Sequence, residues 1–240
     1  MKLAFFGNGR MGRAAAARAV DEGHEVGVVL TSRDASRAPA ETAALLRGHA
    51  AAIDFSAGPA VLAHVAACMQ AGVPLVEGST GWQAGEAEAR RLVEESGGAM
   101  VYGENFSIGV NLFYRLVDRA AELFGGLPAY DAFIEEAHHA KKRDAPSGTA
   151  LRLRAILARH VRREVPVVST RAGHIPGVHR VGFDSAADQV TLVHSARSRE
   201  GFAAGALAAA RWIGGRPGVG VHAFADVLDE ILQVDKGGKP

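Results

Sequence analysis

Leu3-Ala4-Phe5-Phe6-Gly7-Asn8-Gly9-Arg10-Met11-Gly12 is a short apolar run followed at once by glycines in the spacing G-x-G-x-x-G. An apolar run bounded by glycine reads as a buried strand, and residues 13–22 read as a helix stopped by Gly23. In such a strand–turn–helix unit each glycine has its own task. The first permits the tight turn, the second lets the backbone approach a pyrophosphate, and the third lets helix and strand pack closely. The helix N-terminus adds unpaired N–H groups and the positive end of a dipole. Gly7, Asn8, Gly9, Arg10, Met11 and Gly12 are therefore candidate dinucleotide-binding residues, set against the plainer reading of an ordinary turn.

Outward from this unit, strands are expected at residues 26–30, 51–55, 73–76 and 99–102. Between the later ones lie a helix with Pro59 near its start and Gly72 just past its end, and a charged helix over 85–96. Strand and helix alternating in this way predict an α/β fold with a Rossmann-type, doubly wound parallel sheet. The pattern changes after about Asn105. A long helix over 107–124, a strand over 130–137, a helix over 147–160 and strands over 165–170, 178–183 and 189–195 suggest a second, α+β domain. The chain then returns to helix over 201–213, with a shorter one over 223–232.

The 240 residues are 48% hydrophobic and 22% charged, ordinary for a globular protein, and the formal net charge is +1. No global field steers the chain to nucleic acid or a membrane surface. Cys68 is the only cysteine, which excludes an internal disulfide and a cysteine metal cluster and fits a reducing compartment. The first apolar stretch is too short for a signal-peptide core, and none approaches the roughly 18 residues of a membrane span. The expectation is a cytoplasmic protein without a nucleic-acid or membrane partner.

The second strand ends Leu30-Thr31-Ser32-Arg33, without the acid that would take a ribose 2′-hydroxyl. Ser32 and Arg33 suit a 2′-phosphate instead, which favours NADPH over NADH; the alternative is that Arg33 is a solvated surface charge. Gly78-Ser79-Thr80-Gly81 follows the strand ending at Val76, where loops of a doubly wound sheet line the ligand crevice. From the residues alone it reads equally as a polar turn.

Between the strand ending at Ala137 and the next helix lies His138-His139-Ala140-Lys141-Lys142-Arg143-Asp144-Ala145-Pro146-Ser147-Gly148-Thr149. Adjacent residues of a strand point to opposite faces, so His138 and His139 can share a site only if the strand ends or twists there. Asp144 or Ser147 could cap the helix, leaving the N–H groups of Gly148 and Thr149 as an anion pocket. Two imidazoles, an ammonium and a helix N-terminus suit a carboxylate-bearing substrate, and a lysine or histidine here could supply a proton during reduction. Neighbouring histidines can ligate a metal, but no Asp, Glu or Cys stands at a convincing companion spacing, so no metal site is expected.

Glu136-Ala137-His138-His139, Lys142 and Asp144-Ala145-Pro146-Ser147-Gly148-Thr149-Ala150 together resemble the signature of the 4-hydroxy-tetrahydrodipicolinate reductase (dihydrodipicolinate reductase) family. The resemblance extends to Gly7–Gly12, Asp54-Phe55-Ser56, Gly78–Gly81, Asn105–Asn111 and the scattered Arg171, Gly173, Gly177, His179 and Phe183. It implies a homotetramer whose dinucleotide-binding domain is built from residues 1–106 and 200–240, with residues 107–199 binding substrate and oligomerising. It also implies NAD(P)H-dependent reduction of a cyclic dicarboxylate with loss of water. By motif position His138 and Lys142 match the active-site histidine and the proton donor. His139, Gly148 and Thr149 match substrate-binding positions. Gly78, Ser79, Thr80 and the loop Gly103, Glu104, Asn105, Phe106 match the segments around the nicotinamide. Lys141 falls at a variable position.

The chain departs from the family pattern in four ways: a glycine loop one residue shorter than the commonest form, the missing ribose acid, Ser79 for the usual Thr, and Glu104 for a small residue or Pro. These departures motivate one alternative, a reductase of another small carboxylate or imine. A non-catalytic cofactor-binding regulator ranks last, because that fate normally erodes the proton donor or the anion pocket, and both stand intact.

Overall fold

The computed structural model describes residues 1–34, 36–216 and 220–236. They form two compact units, one from Met1–Ile108 with Arg199–Pro240, the other from Gly109–Ser198.

The first unit is built on β1 (Lys2–Phe6), α1 (Arg10–Asp21), β2 (Glu25–Leu30), α2 (Pro39–Leu46), β3 (Ala51–Asp54), α3 (Val61–Ala71), β4 (Leu75–Glu77), α4 (Glu86–Glu95) and β5 (Ala99–Tyr102). In the second, α5 (Ile108–Phe124), β6 (Asp131–His138), α6 (Gly148–Leu157), β7 (Val167–Arg171), β8 (Val178–Asp184) and β9 (Gln189–Ser195) follow. The chain then re-enters the first unit as α7 (Glu200–Gly214), β10 (Gly220–Ala223) and α8 (Phe224–Lys236).

The first sheet has the order β10-β5-β4-β3-β1-β2, and every pairing is parallel. Strand side chains alternate between faces, and both faces are buried, so the strands read as unbroken apolar runs. Leu3 and Phe5 join the core made with α1, α7 and α8, while Ala4 and Phe6 join the core made with α2, α3 and α4. The order reverses at β1, which pairs with β2 on one side and β3 on the other. A doubly wound sheet opens its ligand crevice at such a switch point. The second sheet, β7-β6-β8-β9, is mixed: β6 pairs parallel to β7 and antiparallel to β8, which pairs antiparallel to β9. Helices α5 and α6 cover one face through Phe113, Val117, Leu153 and Ile156. The α/β class with a second α+β unit is the one the sequence pattern predicts.

Several elements differ from expectation. α1 starts at Arg10, not residue 13, so the last three residues of the glycine motif form its first turn. α2 was not expected: it is short and buries only Thr42, Ala43 and Leu46, too little periodicity to be legible. β10 was not expected either, because Gly-Val-His-Ala carries almost no strand signal and takes its conformation from pairing with β5. β7 begins at Val167 rather than 165. Pro166 contributes its carbonyl to Ile134 N–H (2.9 Å) but has no N–H to give the ladder.

Gly205 in α7 provides a test of this packing. Replacing helical glycine by alanine ordinarily stabilises by about 1 kcal/mol. Here a Cβ would overlap the Phe106 carbonyl oxygen, a backbone atom that cannot step aside. Gly205→Ala is therefore expected to destabilise by about 1–3 kcal/mol, the cost of overpacking, and to lower Tm in thermal unfolding.

Candidate active site

At the switch point, β1 runs into Gly7, whose φ of +91° is open to glycine at little cost. Its N–H bonds the Leu30 carbonyl (2.8 Å), and Phe55 N–H bonds the Phe6 carbonyl (2.9 Å), so the three strand ends are fixed together. A Cβ on Gly7 would strike the Phe55 carbonyl, and one on Gly12 would strike the carbonyl of Gly7. A Cβ on Gly9 would meet nothing within 4 Å, because Gly9 faces a cleft of about 660 Å³. Gly9 is also the N-cap of α1, and no side chain caps that end. The turn thus has the tight bend, the open backbone and the uncapped N–H groups that a pyrophosphate requires, and the residues fit a nicotinamide dinucleotide.

Gly7, Asn8, Gly9, Ser32 and Arg33 line this cleft together with Thr31, Asp34 and Ser56. Asp34 went unnoticed in the sequence because it stands four residues past Leu30. Its Oδ2 accepts from Thr31 N (2.9 Å) and Oγ1 (3.2 Å), and its Oδ1 from Arg37 Nε (3.0 Å). The carboxylate thereby shapes the turn, while Ser32 and Arg33 remain exposed. Arg10, Met11 and Gly12 form the first turn of α1.

Gly78, Ser79 and Thr80 follow β4 directly, tied to the end of β3 by Ser56 N–H to Ser79 Oγ (3.1 Å). The Gly103–Phe106 segment leaves β5 with Gly103 N–H on the Glu77 carbonyl (3.0 Å). Glu104 is exposed. Phe106 is a core side chain against Phe55 and Phe224, so any role at a ligand falls to its backbone.

In the second unit, strand register builds the site. Alternation along β6 buries Ala132, Ile134, Glu136 and His138 on the helix-covered face. The register sets Ser169 and His179 beside Glu136, and Arg171 beside His138, on that same face. The Glu136 carboxylate, 2% exposed, is the hub. Arg171 grips it with both terminal nitrogens (2.6 and 2.9 Å), His138 Nδ1–H donates to Oε2, and Ser147 N–H donates to Oε1 (3.3 Å). Arg171 also bonds the Asp144 carbonyl (2.6 Å), pinning the loop that carries Lys142.

β6 ends at His138, which removes the opposite-face objection to His139. The chain turns through Lys142 N–H on the His139 carbonyl (3.0 Å), and Lys142 Nζ pairs with Asp144 Oδ2 at 2.8 Å. His139 is half-buried. Ser147, not Asp144, caps α6: its Oγ accepts from Ala150 N (3.2 Å) and is hydrogen-bonded to His179 Nε2 (2.9 Å). Among the described residues no protein acceptor takes the N–H groups of Gly148 and Thr149.

Electrostatics fix the protonation states. Burial would raise the Glu136 carboxyl, but the hydrogen bonds from Arg171 and His138 win and hold it at about 2. Burial lowers His138, and the nearby Lys142 and Arg171 charges add to this, against the pull of Glu136. Burial drives His179 down to about 4, helped by His138. At neutral pH His138 is therefore neutral, with its proton on Nδ1 and the Nε2 lone pair available.

Glu136, His138 and His179 offer donor atoms within 4.8 Å of one another, a trio that sequence spacing did not reveal. The Arg171 guanidinium already takes both Glu136 oxygens and supplies the positive charge a cation would bring. The trio is accounted for as a hydrogen-bonded network.

The chain matches the domain family "Dihydrodipicolinate reductase, N-terminus" over residues 1–106 and "Dihydrodipicolinate reductase, C-terminus" over residues 109–228. The chain belongs to the dihydrodipicolinate reductase family. It is 36% identical over 194 residues to the 4-hydroxy-tetrahydrodipicolinate reductase of Christiangramia forsetii, covering 76% of this chain and 80% of that protein. To the protein of the same name from Xanthomonas campestris pv. campestris it is 40% identical over 220 residues, 88% and 90% of the two chains. The dipicolinate-bound dihydrodipicolinate reductase of Paenisporosarcina sp. TG-14 shares the fold, with a TM-score of 0.78 over 95% of this chain and 99% of that one at 18% identity. As a dihydrodipicolinate reductase family member, the chain is a pyridine-nucleotide-dependent oxidoreductase of lysine and diaminopimelate biosynthesis.

Glu136, Arg171 and His179 had no assigned role in the sequence reading, and Ser147 was one of two candidate helix caps. An acid at an inward position of an alternating strand was the one available signal, and it pointed to Glu136. Arg171→Ala would leave that carboxylate buried without its cation, at a cost of about 3 kcal/mol. Because Glu136 is held near 2, against an ordinary 4.5, its contribution is present above pH 4.5 and is lost as pH falls through 2. Thermal melts at stepped pH should show this acid loss in the wild type and a smaller one in Arg171→Ala. Identical profiles would contradict the assigned ionisation.

Proposed function

We propose that this chain reduces 4-hydroxy-tetrahydrodipicolinate to tetrahydrodipicolinate with loss of water, using NADPH. The observation that carries the reading is the Glu136 hub. It orients a neutral His138, and through Arg171 it anchors the Lys142 loop, next in the chain to a helix N-terminus with two unclaimed N–H groups. When bound, the nicotinamide supplies the hydride. Lys142, an ammonium steadied by Asp144, donates the proton. His138 Nε2 accepts a hydrogen bond from the substrate, and His139 contacts it. Gly148 and Thr149 hold a ring carboxylate with their N–H groups and the positive end of the α6 dipole.

In the first unit, Gly7–Gly12 take the pyrophosphate, and Gly78–Thr80 with the backbone of Gly103–Phe106 take the nicotinamide. Ser32 and Arg33 at the cleft support a 2′-phosphate and hence NADPH. Asp34 favours NADH as the second reading, although its oxygens are already engaged with Thr31 and Arg37. No described helix is long and apolar enough to cross a membrane. With the single cysteine, that is consistent with a cytoplasmic location. Exposed Val168 and Val193 on the sheet face away from α5 and α6 support assembly into the family's homotetramer, with residues 107–199 as substrate-binding and oligomerising domain and residues 1–106 and 200–240 as dinucleotide domain.

Lys142→Ala is expected to fold normally and lose about 10²- to 10⁴-fold in kcat, the usual worth of a positioned general acid. Near-wild-type turnover would refute the role. kcat/KM for NADPH is expected to exceed that for NADH, and Arg33→Ala should narrow the ratio. An unchanged ratio would remove Arg33 from the site.

A further inference from the structure

A second buried ionisable cluster lies in the first unit. Asp54 and Glu77 end adjacent parallel strands, stand opposite each other in register, and are both 0% exposed. Asp54 Oδ1 accepts from Ser56 N (2.8 Å) and Ser79 Oγ (3.2 Å), and its Oδ2 from His64 Nδ1 (2.6 Å). Glu77 Oε1 accepts from Ser79 N (2.5 Å), while its Oε2 is buried without a hydrogen-bond partner. Both carboxyl groups thus hold Ser79, one by its N–H and the other by its hydroxyl.

Two carboxylates side by side in a buried site do not both ionise. Asp54 has three donors, one of them an imidazole, so it keeps the charge. Glu77 has one donor and an orphan oxygen, so it keeps the proton. We propose that the Asp54–Glu77 pair shares a single proton, resident on Glu77, and that this pair is the positioning device that sets the Gly78–Ser79–Thr80 loop for the nicotinamide. The loop's role rests on the proposed function above.

The groups facing Glu77 are few. On α3 stand His64 and Cys68, whose thiol is pushed well above its usual range by burial and then by Asp54 and Glu77. On β5 Tyr102 is opposite Glu77 in register, and its phenol takes Arg90 of α4 (2.8 Å), which pairs with Glu86. Burial, and then the Asp54 charge, push the Glu77 carboxyl up to about 9. A carboxyl raised in the folded state holds a proton that the unfolded chain releases above its ordinary 4.5. Stability therefore declines as pH rises from 4.5 toward 9, and above that window a second charge arises beside Asp54, under Ser79.

The test uses the full chain, with two readouts from about pH 6 to pH 10: the cofactor-free Tm, and the Kd for NADPH by tryptophan fluorescence. In the wild type Tm should fall across the window, and Kd should weaken about ten-fold at its alkaline end. Glu77→Gln, neutral and of the same shape, should keep the neutral-pH Kd and flatten both profiles. Glu77→Leu, which gives Ser79 N–H no acceptor, should weaken Kd about ten-fold at every pH. The proposal is overturned if Glu77→Gln retains the wild-type alkaline loss of affinity, or if it weakens NADPH as much as Glu77→Leu at neutral pH. Absence of NADPH binding by the wild type would instead overturn the cofactor reading and the loop's role with it. The melting profile of Glu77→Gln would still decide the shared proton.

Discussion

Removing the Glu136 carboxylate from water is the constraint around which the second unit is organised. A buried carboxylate with no partner would simply take up a proton. This one remains ionised because a guanidinium fork from β7, an imidazole N–H from its own strand and a backbone N–H ahead of α6 converge on it. Each bond has a structural consequence. The fork couples β7 to β6 and reaches the Asp144 carbonyl, the imidazole bond fixes the ring and tautomer of His138, and the Ser147 bond sets where α6 begins. Breaking such a network by removing one partner costs more than its net contribution to stability, because the survivors stay buried. The network therefore serves to define one geometry.

The Asp54–Glu77 pair in the first unit makes an instructive contrast. Both sites bury carboxylates near the ends of adjacent strands. At Glu136 an arginine grips the acid, which is held at about 2; at Glu77 no described arginine bonds the acid, another carboxylate stands beside it, and it rises to about 9. The same side chain is driven to opposite protonation states by its neighbours. The glycine turn after β1 works by a third device. It binds through what is missing, since the lack of a Cβ brings Phe55 and Gly7 carbonyls close and leaves Gly9 open.

Much of this was legible in the sequence. The Gly7–Gly12 turn, the alternating strands and helices, and the His138–Thr149 segment all lie within continuous stretches whose chemistry is local. What was not legible depends on register. Arg171 and His179 are 35 and 43 positions from Glu136 and meet it only because β7 and β8 flank β6 in one alignment. Asp34 was overlooked because the chain turns back after β2, placing it at the cleft from four residues beyond the strand. β10 was invisible for a related reason, since its four residues become a strand by pairing with β5. The metal-like trio of Glu136, His138 and His179 was likewise hidden by its scatter over two strands.

The proposed reaction is reduction of a cyclic dicarboxylate by a nicotinamide hydride. The most direct measurement is NADPH oxidation by the purified wild-type chain, followed by absorbance, when 4-hydroxy-tetrahydrodipicolinate is generated in the cuvette. Rapid oxidation is expected, with one NADPH consumed per molecule of tetrahydrodipicolinate formed. Binding of NADPH without oxidation, while the substrate is shown to accumulate, would contradict the proposed reaction.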